Sequence, residues 1–159
     1  MLEPKYLAKP SIQKIKEILD KENIKIIDLG KSGHTAKMAA ESLKVSTNRI
    51  CKSLILKSDN EFILCLINGD DKASFDKIKS LKQSNSLRMA NADEVKDITG
   101  ISIGGVSPVG LKNNLNCLID QKIETFDTIF CAAGAAELVF EIKPFQLKKI
   151  TNGSFENIT

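Results

Sequence analysis

The sequence predicts a single domain of mixed α/β (α+β) class, a mixed β-sheet flanked by helices. Three observations predict it. At 159 residues the chain has the length of one domain and can bury a core without disulfide or metal staples. Helical and strand periodicities interleave along it, without a strict β-α-β rhythm. One segment, Phe62-Ile63-Leu64-Cys65-Leu66-Ile67, is apolar on both parities, as a central strand covered on both faces must be.

The elements follow in order. A helix is expected over residues 10–21, opened by Pro10, with Ile12, Ile15, Ile18 and Leu19 on one stripe. A short strand spans 24–29, and Gly30-Lys31-Ser32-Gly33 makes a loop. Thr35 can cap a second helix that presents Ala36, Ala39, Ala40 and Leu43. Strands over 49–57 and 61–68 flank Ser58-Asp59-Asn60, a hairpin turn. A helix carrying Phe75, Ile78 and Leu81 comes next. The following helix has both ends marked: Asn91 with Glu94 forms a capping box, and Gly100 suits the left-handed C-terminal position. Residues 104–110, Gly-Gly-Val-Ser-Pro-Val-Gly, are too glycine-rich for regular structure. Strands at 115–119, 128–132 and 138–142 follow, and Pro144 opens a last helix ending near Ile150. Only the ends, 1–9 and 152–159, read as loosely held.

Composition narrows the classes. No apolar run approaches the roughly 20 residues of a membrane span, and no apolar stretch follows Met1-Leu2-Glu3-Pro4-Lys5 as in a signal peptide. A cytoplasmic protein is the expectation. Net charge is +3, and of 23 basic residues only Arg49 and Arg88 are arginine. Such a lysine-rich surface can touch phosphates but does not by itself demand nucleic acid. Cys51, Cys65, Cys117 and Cys131 form no close pair and lie in or beside apolar runs, and His34 is the only histidine. No metal site and no cofactor are expected; reduced core thiols are.

Lys52 shares strand parity with Ile50, Leu54 and Leu56. Either it reaches water from the strand end, or it lines a pocket that receives an anion. The paired glycines Gly104 and Gly105 let a backbone pass close to a ligand, while Pro108 stiffens the turn; a plain turn is the alternative. A second small-residue loop, Ala132-Ala133-Gly134-Ala135-Ala136, can face the same cleft. Conventional catalytic sets are poorly supplied, since any dyad or triad would have to use His34. Asp70-Asp71 reads as an exposed turn pair, and Asp120 as either a cap or a site carboxylate.

Five motifs then occur in order: Thr35-Ala36…Ala39-Ala40…Leu43, Ile50-Cys51-Lys52-Ser53-Leu54, Thr99-Gly100…Gly104-Gly105-Val106-Ser107-Pro108-Val109-Gly110, Ile119-Asp120, and Ala132-Ala133-Gly134…Pro144…Leu147. Each is weak alone, but the succession resembles the YbaK/EbsC family. That family includes the editing domain inserted in bacterial prolyl-tRNA synthetases and its free-standing relatives. The resemblance covers about residues 10–157 and implies one editing domain over 1–159 with a partly rolled sheet. It implies a trans-editing deacylase that hydrolyses the ester of mischarged tRNA, with tRNA(Pro) carrying a small non-cognate amino acid as the expected substrate. Prolyl-tRNA synthetase is a candidate partner. A non-catalytic tRNA- or nucleotide-binding module is the alternative.

By the same resemblance Lys52 matches the family's key lysine, which holds phosphate near the terminal adenosine. Gly104, Gly105, Ser107 and Pro108 match the loop that shapes the amino-acid pocket, and Gly134 the glycine of the other pocket loop. Lys52, Gly104 and Gly105 are the expected catalytic positions; Thr35, Ser53, Ser107, Pro108, Asp120 and Gly134 are the expected substrate-binding ones. The chain departs after Gly134, where some relatives place a histidine or basic residue and Ala135-Ala136 stand here. The departure bears on which amino acid is removed.

Overall fold

The structure, a computed structural model, describes residues 2–159. Its spine is a five-stranded mixed sheet. The hairpin of β2 (Cys51–Ser58) and β3 (Glu61–Asn68) turns at Asp59, whose φ of 51° suits a tight two-residue turn. β5 (Asn116–Asp120) lies parallel to β3, and the short strands β4 (Leu87–Met89) and β8 (Ser154–Glu156) form the edges in the order β4-β2-β3-β5-β8. A second, antiparallel sheet joins β1 (Ile26–Asp28), β7 (Leu138–Ile142) and β6 (Ile129–Ala132). A single parallel bridge from Ile50 to Phe130 brings the two sheets together, so the whole is partly rolled.

The doubly apolar strand is central, as its pattern requires: Ile63 through Asn68 are all buried. One face, with Leu64 and Leu66, packs on α2 (Pro10–Lys21) and the second sheet. The other, with Ile63, Cys65 and Ile67, packs on Ile78 of α4 (Phe75–Lys82) and on Ile158. Helix α2 begins at Pro10 and buries Ile12, Ile15 and Leu19 completely, each worth about 1.5–3 kcal/mol of apolar burial. Helix α3 (Ala36–Leu43) is capped by Thr35, whose Oγ1 accepts from the Met38 amide at 3.0 Å, and lays Ala39 and Ala40 against Phe130 and Val139. Helix α5 (Ala92–Thr99) has the expected capping box and its left-handed Gly100 at φ 78°. Helix α6 (Pro144–Thr151) starts at its proline.

The expectation of loose ends is corrected. Residues Pro4–Leu7 form a helical turn, α1, with Tyr6 buried, and β8 extends the sheet so that Ile158 is fully buried. The expected strand over 24–29 shortens to β1, and Leu81 stays exposed on α4. All four cysteines are buried free thiols, and no helix of the structure is long and apolar enough to cross a membrane.

Candidate active site

β2 is covered along its whole length by β3 on one side, but on the other β4 reaches only Leu56 to Ser58. The Ala90 amide extends that edge by one bond, to the Ile55 carbonyl. The stretch 51–54 is therefore left as an open sheet edge, and a cleft of about 250 Å³ lies against it. The first turn of α3, with His34, Thr35 and Ala36, forms one wall, and Ile103, Gly104 and Ala136 form the other.

Lys52 stands half-buried at this edge, on the face where Leu54 and Leu56 join the apolar layer beneath α4. Its ammonium donates to the Asp71 carbonyl oxygen at 2.6 Å. That carbonyl is fixed from behind. Asn68, buried at the end of β3, accepts the Asp70 and Asp71 amides at 3.0 and 3.2 Å and donates to the Asp71 carboxylate at 2.7 Å. Lys122 donates to the same carboxylate at 3.1 Å. Its hydrogen bond, then that of Asn68, holds the Asp71 carboxyl below the usual carboxylate range. Among the described residues Lys52 enters no ion pair, so its charge is positioned rather than paired.

Beside it the Ser53 hydroxyl is buried, faces the cleft and has no hydrogen-bond partner among the described residues. A buried polar group left unmade costs about 1–3 kcal/mol, which a ligand can return. Thr35 uses one lone pair to cap α3 and keeps its hydroxyl hydrogen for the cleft. His34 is exposed at the rim.

The far wall is made of loops pressed together. The Gly134 amide donates to the Gly105 carbonyl at 2.9 Å. A Cβ on Gly105 would lie 2.8–3.0 Å from the Ala135 backbone, and one on Gly33 only 2.5 Å from the Glu137 Cα. Gly134, at φ 101°, has Ile12 and Ile15 of α2 where a Cβ would go. These glycines serve loop packing. Gly104 differs: φ is 93° and nothing lies within 4 Å of where its Cβ would be, so it forms the open lip of the cleft. Tyr6 braces the wall by donating to the Glu137 carboxylate at 2.5 Å, which keeps that carboxyl below its ordinary range.

Of the expected site residues, the structure brings Thr35, Lys52, Ser53 and Gly104 to one cleft. Gly105 and Gly134 lie in its wall and face a neighbouring groove. The remaining three are displaced, for physical reasons. Ser107 is fully buried and its hydroxyl accepts the Val109 amide at 3.1 Å. Pro108 is buried and borders a separate cavity with Asn113–Cys117 at its rim. Asp120 is fully buried; its carboxylate accepts the Ile158 and Lys122 amides at 3.2 and 3.3 Å and ties down the C-terminal tail. Asp71 and Lys122 are the residues that sequence reasoning missed. Asp71 is no idle turn residue, and the signal for it was Asn68 three residues earlier, an Asx turn after the central strand.

Burial pushes the thiols of Cys65 and Cys117 up to about 12 and that of Cys131 well above its ordinary value, so these sulfurs pack rather than react. The cleft thus offers a positioned cation, one idle hydroxyl, a cap hydroxyl and backbone edges. That inventory suits holding an anionic, hydroxyl-bearing ligand against a small apolar pocket.

The sequence model of the aminoacyl-tRNA editing domain matches residues 31–150, which include every wall of this cleft. The chain belongs to the aminoacyl-tRNA editing domain family. It is 32% identical over 121 residues to the protein YwhH of Bacillus subtilis (strain 168), covering 76% of each chain. It is 38% identical over 120 residues to the proline–tRNA ligase of Caldicellulosiruptor saccharolyticus, covering 74% of this chain but 20% of the ligase. The likeness to such ligases is thus to about a fifth of their length. It is also 25% identical, over 79% of its length and 77% of the relative, to EbsC of Enterococcus faecalis, named as a candidate Cys-tRNA(Pro)/Cys-tRNA(Cys) deacylase. Among solved structures, a candidate trans-editing enzyme for prolyl tRNA synthetase superposes with a TM-score of 0.90 at 26% identity, over 100% of this chain and 99% of that one. The fold with its two sheets is thus shared along the whole chain.

Proposed function

We propose that this editing domain is a trans-editing deacylase that hydrolyses the ester joining a wrong amino acid to tRNA. The observation that carries the reading is Lys52: a half-buried ammonium, aimed by a backbone carbonyl, at an open sheet edge. The domain is proposed to act as one unit over residues 1–159 and to work in the cytoplasm, where tRNA is charged.

A terminal nucleotide would place a phosphate on Lys52 and its sugar or base against the exposed edge of β2. The aminoacyl group would enter the small apolar pocket lined by Ala36, Ala39, Val106 and Val139. Such a pocket favours small side chains, the class that a synthetase pocket rejects poorly. The ester is already activated, so catalysis needs a water fixed against the carbonyl rather than a protein nucleophile. Backbone groups at the Gly104 lip would hold the developing oxyanion, and the substrate's ribose hydroxyl would order the water. Ser53, idle in the free protein, is placed to bond the bound nucleotide. The proposed substrate is tRNA(Pro) carrying Ala, Ser, Thr or Cys, and prolyl-tRNA synthetase is a proposed partner.

The test is turnover. Catalytic amounts of protein, mixed with tRNA(Pro) charged separately with Ala, Ser, Thr and Cys, should release at least one of these amino acids over many cycles. Binding without release in all four cases would replace the deacylase by an RNA-binding module.

A further inference from the structure

On the other side of the loop wall lies a larger groove of about 690 Å³, bounded by the start of α2, the end of α5 and the 100–103 turn. Ile103 and Ala136 line both this groove and the cleft, so the two spaces meet at a shared rim. Four lysines line the groove, Lys9, Lys14, Lys96 and Lys112, and no carboxylate does. Several basic residues elsewhere are paired. Lys16, Lys82, Arg88, Lys122 and Lys149 each sit within 4 Å of an acidic group. None of the four groove lysines enters an ion pair among the described residues. Lys14 donates to the Leu111 carbonyl at 2.8 Å and Lys96 to the Gly100 carbonyl at 3.2 Å. Those bonds orient the ammonium groups without cancelling their charge.

Four unpaired cations and no carboxylate line this one groove, an arrangement that favours an anionic chain. Between them the lining is largely small, with Gly100, Gly105, Gly110, Gly134, Ala135 and Ala136. Lysine suits the contact, since it meets phosphate as a point charge and reads no base.

We propose that this groove holds the phosphodiester backbone of the tRNA acceptor end, leading the strand over the Ile103–Ala136 rim so that its terminal ester enters the cleft. The proposal rests on the deacylase reading for the identity of the RNA. The groove would supply affinity and register for the body of the tRNA, while the cleft deals with the last nucleotide.

The test compares two triple variants of equal charge change. One replaces Lys14, Lys96 and Lys112 by glutamine within the groove; the other replaces Lys16, Lys25 and Lys149 outside it. Binding of uncharged tRNA transcript is followed by fluorescence anisotropy over a range of salt concentrations, and thermal melting checks the fold. Each lost phosphate contact lowers the slope of log affinity against log salt by about 1, so the groove variant should lose about 2–3 in slope. Its affinity in ~0.1 M salt should fall roughly tenfold to a hundredfold, with the control variant near wild type. In turnover, the groove variant should show a raised KM for full-length aminoacyl-tRNA but unchanged hydrolysis of an aminoacyl CCA trinucleotide. Equal losses in both triples, no loss in the groove triple, or equal loss on the trinucleotide would each overturn the proposal. If wild-type protein releases no amino acid from any substrate, the deacylase reading falls, and the anisotropy arm still decides the groove.

Discussion

The Lys52 ammonium donates to the Asp71 carbonyl oxygen across 19 residues of chain, and Asn68 holds that carbonyl in place. Lys122 completes the brace through the Asp71 carboxylate, and Asp120 holds the Lys122 amide in turn. The cation is thus aimed by a chain of contacts that reaches from the cleft to the buried C-terminal end of the sheet.

Breaking that chain at Asn68 should move Lys52. Asn68→Ala removes three hydrogen bonds from a residue only 4% exposed. Its partners Asp70 and Asp71 are exposed and half-buried and can turn to water, so the loss should be about 1 kcal/mol in urea unfolding. Deacylation should fall further than that stability loss explains, with KM rising because the phosphate partner is misplaced. A variant that is destabilised but keeps wild-type KM would show that the brace serves the fold alone.

Gly104 and Gly105 should part company. Gly105→Ala pushes a methyl into the Ala135 backbone, and loop separation should lower Tm and turnover alike for every amino acid. Of the loop expected to shape the amino-acid pocket, Gly104 is therefore the position that should gauge the substrate. Gly104→Ala meets no atom, though its left-handed φ should cost about 1–2 kcal/mol. Its methyl narrows the lip, so release of Thr should fall before release of Ala. Equal losses for Thr and Ala in a folded Gly104→Ala protein would remove Gly104 from the pocket.

Ser53→Ala offers a test by sign. Removing a buried hydroxyl that has no partner relieves an unpaid desolvation, so stability should hold or rise by up to about 1 kcal/mol. The KM for aminoacyl-tRNA should rise at the same time. Loss of stability on this substitution would mean that the hydroxyl is already satisfied in the free protein.

How much was legible in the sequence depended on the range of each signal. Helices α2 and α5 read correctly because Pro10, and Asn91 with Glu94 and Gly100, mark their ends within the elements themselves. Strands β4 and β8 are three residues each, and their partners lie far along the chain, so no local pattern announces them. Strand parity placed Lys52 correctly, but its partner is a backbone carbonyl, which carries no residue signature. Ser107 lies outside the cleft, and Asp120 takes the cap role that was one of its two readings, for a related reason. A buried polar residue satisfied by backbone amides looks, in sequence, like one waiting for a substrate.

Acid stability should report the α5 cap. Arg88 grips Glu94 through two bonds of 2.7 and 2.8 Å, and that contact, then the Asn91 amide, lowers the Glu94 carboxyl from 4.5 to about 2. Its folded-state value is depressed, so its contribution is complete above about pH 4.5 and disappears as pH falls toward 2. The Tm difference between wild type and Glu94→Gln should be largest near neutral pH and close as pH falls through that window. A difference that stays constant from pH 7 to 2 would contradict the ion pair.

Lys52→Ala decides the central claim most directly. Half-buried Lys52 makes one hydrogen bond in the free protein, and its removal also ends the desolvation of an ammonium, so the fold should keep its stability to within about 1 kcal/mol. The substrate phosphate loses a charge-assisted bond worth roughly 1.5–3 kcal/mol, and the ester loses its register. The measurement is single-turnover release of amino acid from mischarged tRNA(Pro) by folded Lys52→Ala, with Lys52→Arg alongside. The account predicts at least a tenfold to hundredfold loss for alanine, on the order of that bond, and poor rescue by arginine's planar fork. Near-wild-type release by folded Lys52→Ala would contradict it.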